Sequence, residues 1–94
     1  MPTYKVAHVR EQGQDMIIFP LASAFGNLPL SDQEEELVHL QAGAHAAGLA
    51  GYAVAIWQDS SGGTRFLGPT KWHSFLESLS YQMAWANVNK EISW

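Results

Sequence analysis

The sequence predicts a small α+β domain whose elements follow the order β-β-α-β-β-α. Two observations carry this prediction. Short apolar segments occur in two pairs, each joined by a polar turn that contains glycine, and apolar residues at helical spacing follow each pair. Segments paired in this way form hairpins. We therefore expect a four-stranded, mainly antiparallel sheet with two helices packed on one face, in a single domain that spans residues 1–94.

The first hairpin is predicted over residues 4–10 and 16–21, on either side of a polar turn that contains Gly13. Residues 4–10 alternate between two faces, as a half-exposed strand does. Residues 16–19 are apolar on both faces, which favours a central strand that is covered on both sides.

The connection over residues 21–30 is irregular and apolar, with Phe25, Leu28 and Leu30 set among glycine, asparagine and proline. Apolar loops are uncommon on a solvated surface. We favour a segment that folds over one end of the core. The alternative is a lid or a pocket wall.

The first helix is predicted to begin at Ser31, which forms a capping box with Glu34 at the head of an acidic first turn. Gly48 is a natural C-terminal stop. Between them, Gly43 lies in a stretch of alanine and glycine whose small side chains allow a neighbouring element to pack closely.

The second hairpin is predicted over residues 52–57 and 64–67, with a turn at residues 59–63. Residues 71–94 then show two apolar stripes when they are placed about 100° apart on a helix. One stripe is expected to face the core, and its members are Trp72, Phe75, Leu76, Leu79, Met83 and Ala86. The second stripe contains Tyr81, Trp85, Val88 and Ile92.

The second stripe predicts an interface. An apolar helix face that does not meet the core must be covered, and a second copy of the chain covers it most simply through a twofold contact. Tryptophan and tyrosine are enriched at protein interfaces, so Trp94 is added to the predicted interface residues. We therefore expect a homodimer.

Composition disfavours several classes of partner. Five basic residues stand against nine acidic ones, giving a net charge of −4, and the basic residues are scattered. Nucleic acid and anionic membrane surfaces are bound by clustered positive charge, so neither is expected as a partner. No apolar run approaches a membrane span, and the charged residues near the start do not resemble a signal peptide. A cytoplasmic location is expected.

Two binding functions remain open from the sequence. One is an interaction module whose acidic surface receives a protein partner. The other is a small-molecule binder with an aromatic-lined pocket, at the dimer interface or beneath residues 21–30, suited to a cation. The residues predicted to line such a pocket are Phe25, Leu28, His45 and Trp57.

An enzyme is the third and least favoured function. His8 with Arg10 on one strand face, or His73 at a helix start, are the residues that could serve as acid or base. No motif orients a nucleophile toward them. The histidines lack close metal-ligand spacing and the chain has no cysteine, so neither a metal site nor a cofactor is expected.

Overall fold

A computed structural model describes residues 3–11, 13–69 and 72–93 of the chain. Within these ranges the chain forms five strands, three α-helices and a short 3-10 helix at Ser23–Asn27. The strands are β1 (Thr3–Glu11), β2 (Gln14–Pro20), β3 (Tyr52–Gln58), β4 (Thr64–Leu67) and β5 (Lys90–Ser93). The α-helices are α1 (Leu30–Ala46), α2 (His73–Glu77) and α3 (Tyr81–Ala86).

The strands form one mixed sheet in the order β4-β3-β2-β1-β5. The α+β class is confirmed, as are the two predicted hairpins, because β1 pairs with β2 and β3 with β4 in antiparallel fashion. The sheet is mainly antiparallel, as predicted, but it differs from the predicted four-stranded sheet in two details. A fifth strand pairs antiparallel with β1, and β2 pairs parallel with β3.

The parallel pair has a physical origin in the connection that joins it. A parallel pair needs a crossover connection. Helix α1 supplies it, because it follows β2 in the chain and returns along the sheet to the start of β3. Residues 16–20 of β2 and 53–57 of β3 are buried throughout. Such continuous burial is typical of strands covered on both faces.

Helices cover both faces of the sheet, so the prediction that they share one face is wrong. Helix α1 packs on one face, in a cluster formed by Val6, Ile17, Phe19, Leu40, Ala44, Ala53 and Ile92. Residues of α2, α3 and the segment between them pack on the other face, in a cluster of Ala7, Met16, Ile18, Val54, Ile56, Trp72, Leu76, Leu79 and Ala84. The alternation of side chains along each strand divides the apolar residues between the two layers.

The two ends of α1 agree only in part with those predicted from the sequence. The helix begins at Leu30 after Pro29, with no side-chain cap, so the capping box predicted at Ser31 does not form. Gly48 does end the helix, at φ +92°. The N–H groups of Gly48 and Leu49 donate to carbonyls in the last turn at 3.0 Å, as in a Schellman motif.

The predicted single helix over residues 71–94 is wrong. Ser80 caps α3 by accepting a hydrogen bond from the Met83 N–H at 3.1 Å, which separates α3 from α2. The chain leaves α3 at Asn87 and then enters β5. Serine and asparagine side chains compete for backbone groups, which makes them poor residues for a helix interior and good ones for its ends.

Asn89 joins α3 to the sheet. Its backbone N–H donates to the Val6 carbonyl at 3.1 Å, its side-chain oxygen accepts from the His8 N–H at 2.9 Å, and its side-chain NH₂ donates to the His8 carbonyl at 3.0 Å. The amide thus continues the ladder of β1 by one position beyond β5.

None of the helices among the described residues has the length and apolar character that a membrane span requires.

Two glycines that flank the turn into β3 provide a test of this fold. Both Gly48 and Gly51 have positive φ, but a Cβ on Gly51 would lie 2.7 Å from the Asp15 carbonyl carbon, whereas one on Gly48 would meet nothing. We expect Gly48→Ala to lower the free energy of unfolding by about 1–2 kcal/mol through backbone strain alone. Gly51→Ala adds the collision with β2 and should cost about 3 kcal/mol or more.

Urea denaturation of both variants beside the wild type measures this difference. Equal losses for the two variants would contradict the close approach of Gly51 to the start of β2.

Candidate hairpin cleft

A polar cavity lies where the two parallel strands end. Because β2 and β3 are parallel, the segments that follow them meet at the same edge of the sheet, where ligands bind in many α/β folds. The 3-10 helix follows β2, and the turn that joins β3 to β4 follows β3. The space between them, about 370 Å³, is here called the hairpin cleft. Its lining residues are Ser23, Gly26, Asn27, Trp57, Asp59, Ser60 and Arg65.

The first wall is the 3-10 helix, which two contacts hold in place. Phe25 is buried and packs edge-to-face on Trp57, with ring centroids 4.8 Å apart. Gln33, a buried polar residue on α1, donates from its side-chain nitrogen to the carbonyls of Phe25 and Leu28 at 3.2 and 3.1 Å. The segment therefore folds over one end of the core, as predicted, and also forms a wall of the cleft.

The floor of the cleft contains the indole of Trp57. A Cβ on Gly26 would lie 2.5 Å from the indole nitrogen, so only glycine allows the 3-10 helix to approach this closely. Trp57 is only 7% exposed, yet its N–H donates to no described residue. Because no fully buried side-chain nitrogen or oxygen lacks a partner in the described ranges, the indole nitrogen keeps some exposed surface, and Trp57 lines the cleft.

The second wall is the turn after β3, which is organised by Asp59. One carboxylate oxygen accepts from the Ser61 hydroxyl at 2.7 Å and from the N–H groups of Gly63 and Ser61 at 2.8 and 3.0 Å. The other oxygen accepts from Arg65 Nε at 3.2 Å. These donors, led by the Ser61 hydroxyl, lower the pKa of Asp59 from its usual 3.8 to about 2.

The predicted pocket residues are divided between two ends of the molecule. Phe25 and Trp57 are in contact, but of the two only Trp57 lines the hairpin cleft. Leu28 is exposed and does not line the cleft. His45 lies at the opposite end of α1, where its Nε2 is 2.8 Å from the Gly51 carbonyl. It borders a more open depression of about 550 Å³ beside that carbonyl.

The polar residues of the cleft are absent from the sequence-based pocket prediction. From the sequence alone, Asp59 and Ser60 are ordinary turn residues and Arg65 has no assigned role. The signal that could have found them is their position directly after a buried apolar strand, combined with a parallel arrangement of β2 and β3. The sequence does not predict that β2 and β3 are parallel neighbours, so the shared edge and its site are not apparent from the sequence.

The candidate catalytic residues do not converge. His8 lies on the α1 face with its Nε2 3.0 Å from the Ala50 carbonyl, and Arg10 pairs with Asp15 at 3.5 Å. His73 lies on the other face, against the ring of Phe66. Each of these three side chains contacts a different part of the chain, and none is recorded in contact with another. In the described ranges no three histidine, aspartate or glutamate side chains are grouped as metal ligands would be.

The predicted interface residues no longer lie on one helix. Tyr81 and Trp85 are on α3, with ring centroids 6.5 Å apart, and Val88 follows the helix half-buried. Ile92 is buried in β5 within the α1-side core. Trp94 lies outside the described residues. The exposed apolar surface of α3 comes from Trp85 and Met83, which are 42% and 49% exposed.

Comparison with known proteins adds no relative. No protein-family model, curated protein or solved structure matches this chain. The function must therefore be argued from the geometry of the chain itself.

The lowered pKa of Asp59 predicts how the stability of the fold changes with pH. The pKa of Asp59 is lower in the folded chain than the usual 3.8. The charged carboxylate therefore stabilises the fold at pH values above 3.8. The contribution falls as the pH drops below 4 and is lost as it passes through about 2. Asp59→Asn should therefore be less stable than the wild type at pH 7, with a difference that shrinks toward pH 2.

NMR titration of the Asp59 carboxyl, read through the amide shifts of Ser61 and Gly63, measures the pKa directly. A midpoint at or above 3.8 would contradict the hydrogen-bonded arrangement of the turn.

Proposed function

We propose that the chain is a binding protein that holds a small polar molecule in the hairpin cleft. The observation that carries the proposal is the indole N–H of Trp57, a residue that is only 7% exposed, lines the cleft and donates to no described residue. Burying a polar group is favourable only when it finds a hydrogen-bond partner, so a site that leaves one open to a cavity is prepared for a ligand.

The two walls support the same proposal because hydrogen bonds within the protein hold both of them in place. Gln33 fixes the 3-10 helix through two carbonyls, and Asp59 fixes the turn through four hydrogen bonds. Binding groups carried on segments held in this way lose little conformational freedom when a ligand arrives. The cavity volume of about 370 Å³ falls within the range of small-molecule sites, roughly 300–1,000 Å³.

A fragment screen by two-dimensional ¹⁵N NMR tests the proposal. We expect a set of polar fragments to shift the indole resonance of Trp57 together with the amides of Ser23, Asn27 and Ser60, while amides around His45 stay unchanged. Binding that shifts the His45 region instead, or no fragment that reaches the cleft, would contradict it.

A filling variant provides the matched control. Ser60 and Ser74 are both exposed serines, but only Ser60 lines the cleft. Ser60→Phe should abolish binding of the fragments found, and Ser74→Phe, on the α2 side of the sheet, should leave it unchanged.

We also propose that the chain self-associates through α3, as the sequence predicted for this region. The exposed Trp85 and Met83 lie on a helix of six residues that contains no charged side chain. Two copies can therefore meet there without bringing like charges together, although the chain carries a net charge of −4. A homodimer and a cytoplasmic location stay predictions, as does a separate protein partner.

Light scattering over a dilution series tests this association. We expect a dimer that Trp85→Ala weakens by roughly thirtyfold or more, which is the loss of about 2 kcal/mol typical of a central tryptophan. Val38→Ala is the control, because Val38 is 66% exposed on α1, on the other side of the sheet. A wild-type chain that is monomeric at every concentration would overturn the proposal.

A further inference from the structure

Two of the polar side chains that line the hairpin cleft can only donate hydrogen bonds. The indole N–H of Trp57 can only donate, and so can the guanidinium of Arg65. Arg65 uses Nε for Asp59, while its two terminal amino groups donate to no described residue. Its side chain is 68% exposed at the mouth of the cleft. A ligand that satisfies these groups must supply acceptor atoms.

The one carboxylate in the cleft has little acceptor capacity left for a ligand. One oxygen of Asp59 already receives three donors and the other receives Arg65. A carboxylate offers about four lone-pair positions in all. Asp59 therefore orients Arg65 and the turn, and the cleft lacks the free negative charge that a cationic ligand would need. This differs from the aromatic site for a cation that the sequence suggested.

The remaining polar side chains that line the cleft can act as hydrogen-bond donors or as acceptors. Ser23 and Ser60 carry hydroxyls, and Asn27 carries an amide, each able to donate to an acceptor on the ligand. With Trp57 and Arg65 they bring donors to the cleft from both walls and from the floor. Oxygen anions match this arrangement best, because the arginine fork fits planar carboxylate and phosphate oxygens.

We propose that the hairpin cleft recognises an anionic oxygen group, a carboxylate or a phosphate, through the terminal amino groups of Arg65 and the indole N–H of Trp57. This inference rests on the proposed function and names the chemistry of its ligand. Because Asp59 offsets the charge of Arg65, recognition depends on directed hydrogen bonds more than on net charge. A neutral molecule of the same shape is therefore the informative comparison.

Three probes of similar shape separate the possibilities: benzoate, phenyl phosphate and the neutral benzamide. Each is titrated into ¹⁵N-labelled protein at fixed ionic strength, and the indole resonance of Trp57 reports on the cleft. We expect benzoate or phenyl phosphate to bind at least about tenfold more tightly than benzamide, as a charge-assisted hydrogen bond implies. Which of the two anions binds more tightly distinguishes a carboxylate from a phosphate ligand.

Matched variants assign the effect to its residues. Arg65→Gln should weaken binding of the preferred anion at least about tenfold, and Trp57→Phe should weaken it while keeping an aromatic ring at the floor. Arg10→Gln is the control, because Arg10 is 69% exposed, also pairs with one aspartate and lies outside the cleft. Circular dichroism and thermal melting verify that each variant is folded.

The outcomes distinguish this inference from the proposed function. Benzamide binding in the cleft as tightly as the anions would overturn the anion inference and leave ligand binding in place. Equal weakening by Arg10→Gln and Arg65→Gln would overturn it as well, since it would show general charge attraction. If the fragment screen finds no ligand in the cleft at all, the proposed function fails and this inference fails with it.

Discussion

The parallel pairing of β2 with β3 is the constraint on which the rest of the structure depends. It requires a crossover, which α1 supplies, and it leaves both strands covered on both faces, which the apolar runs in their sequences allow. It also brings the segments that follow the two strands to one edge of the sheet. The cleft between the 3-10 helix and the turn after β3 is a direct consequence of that edge.

The contacts that stabilise this edge also shape the cleft. Gln33 donates to the Leu28 carbonyl and adds a second hydrogen bond to the Phe25 carbonyl, which also accepts from the Leu28 N–H, and this fixes one wall. Asp59 closes the turn and at the same time orients Arg65. Gly26 allows backbone to lie against the indole of Trp57, where any larger residue would displace one of the two. Fold and site therefore share the same few residues, and changes to the cleft are expected to affect stability too.

The sequence predicts the local elements far better than their arrangement. Hairpin partners are adjacent in the chain, so the turns near Gly13 and Asp59 identify them, and β4 is found at its predicted residues. Strand direction between β2 and β3 depends on how a helix crosses the sheet, which alternation of side chains does not encode. The wrong prediction of one helix over residues 71–94 has another source. The apolar residues keep their helical spacing across Ser80 and Asn87, although serine and asparagine favour the ends of helices. Of the residues that line the cleft, only Trp57 belongs to the predicted pocket, because an aromatic residue is a signal in the sequence whereas Arg65 acquires a role only from the sheet order.

The most direct test of the central claim is a nuclear Overhauser measurement on ¹⁵N-labelled protein. The account predicts a strong cross-peak from the indole N–H of Trp57 to the Hα protons of Gly26, since the 3-10 helix lies against that nitrogen. It also predicts cross-peaks between β2 and β3 in parallel register, such as Ile18 with Val54. Antiparallel contacts between these strands, or an indole N–H without a cross-peak to Gly26, would show that the edge and its cleft do not form.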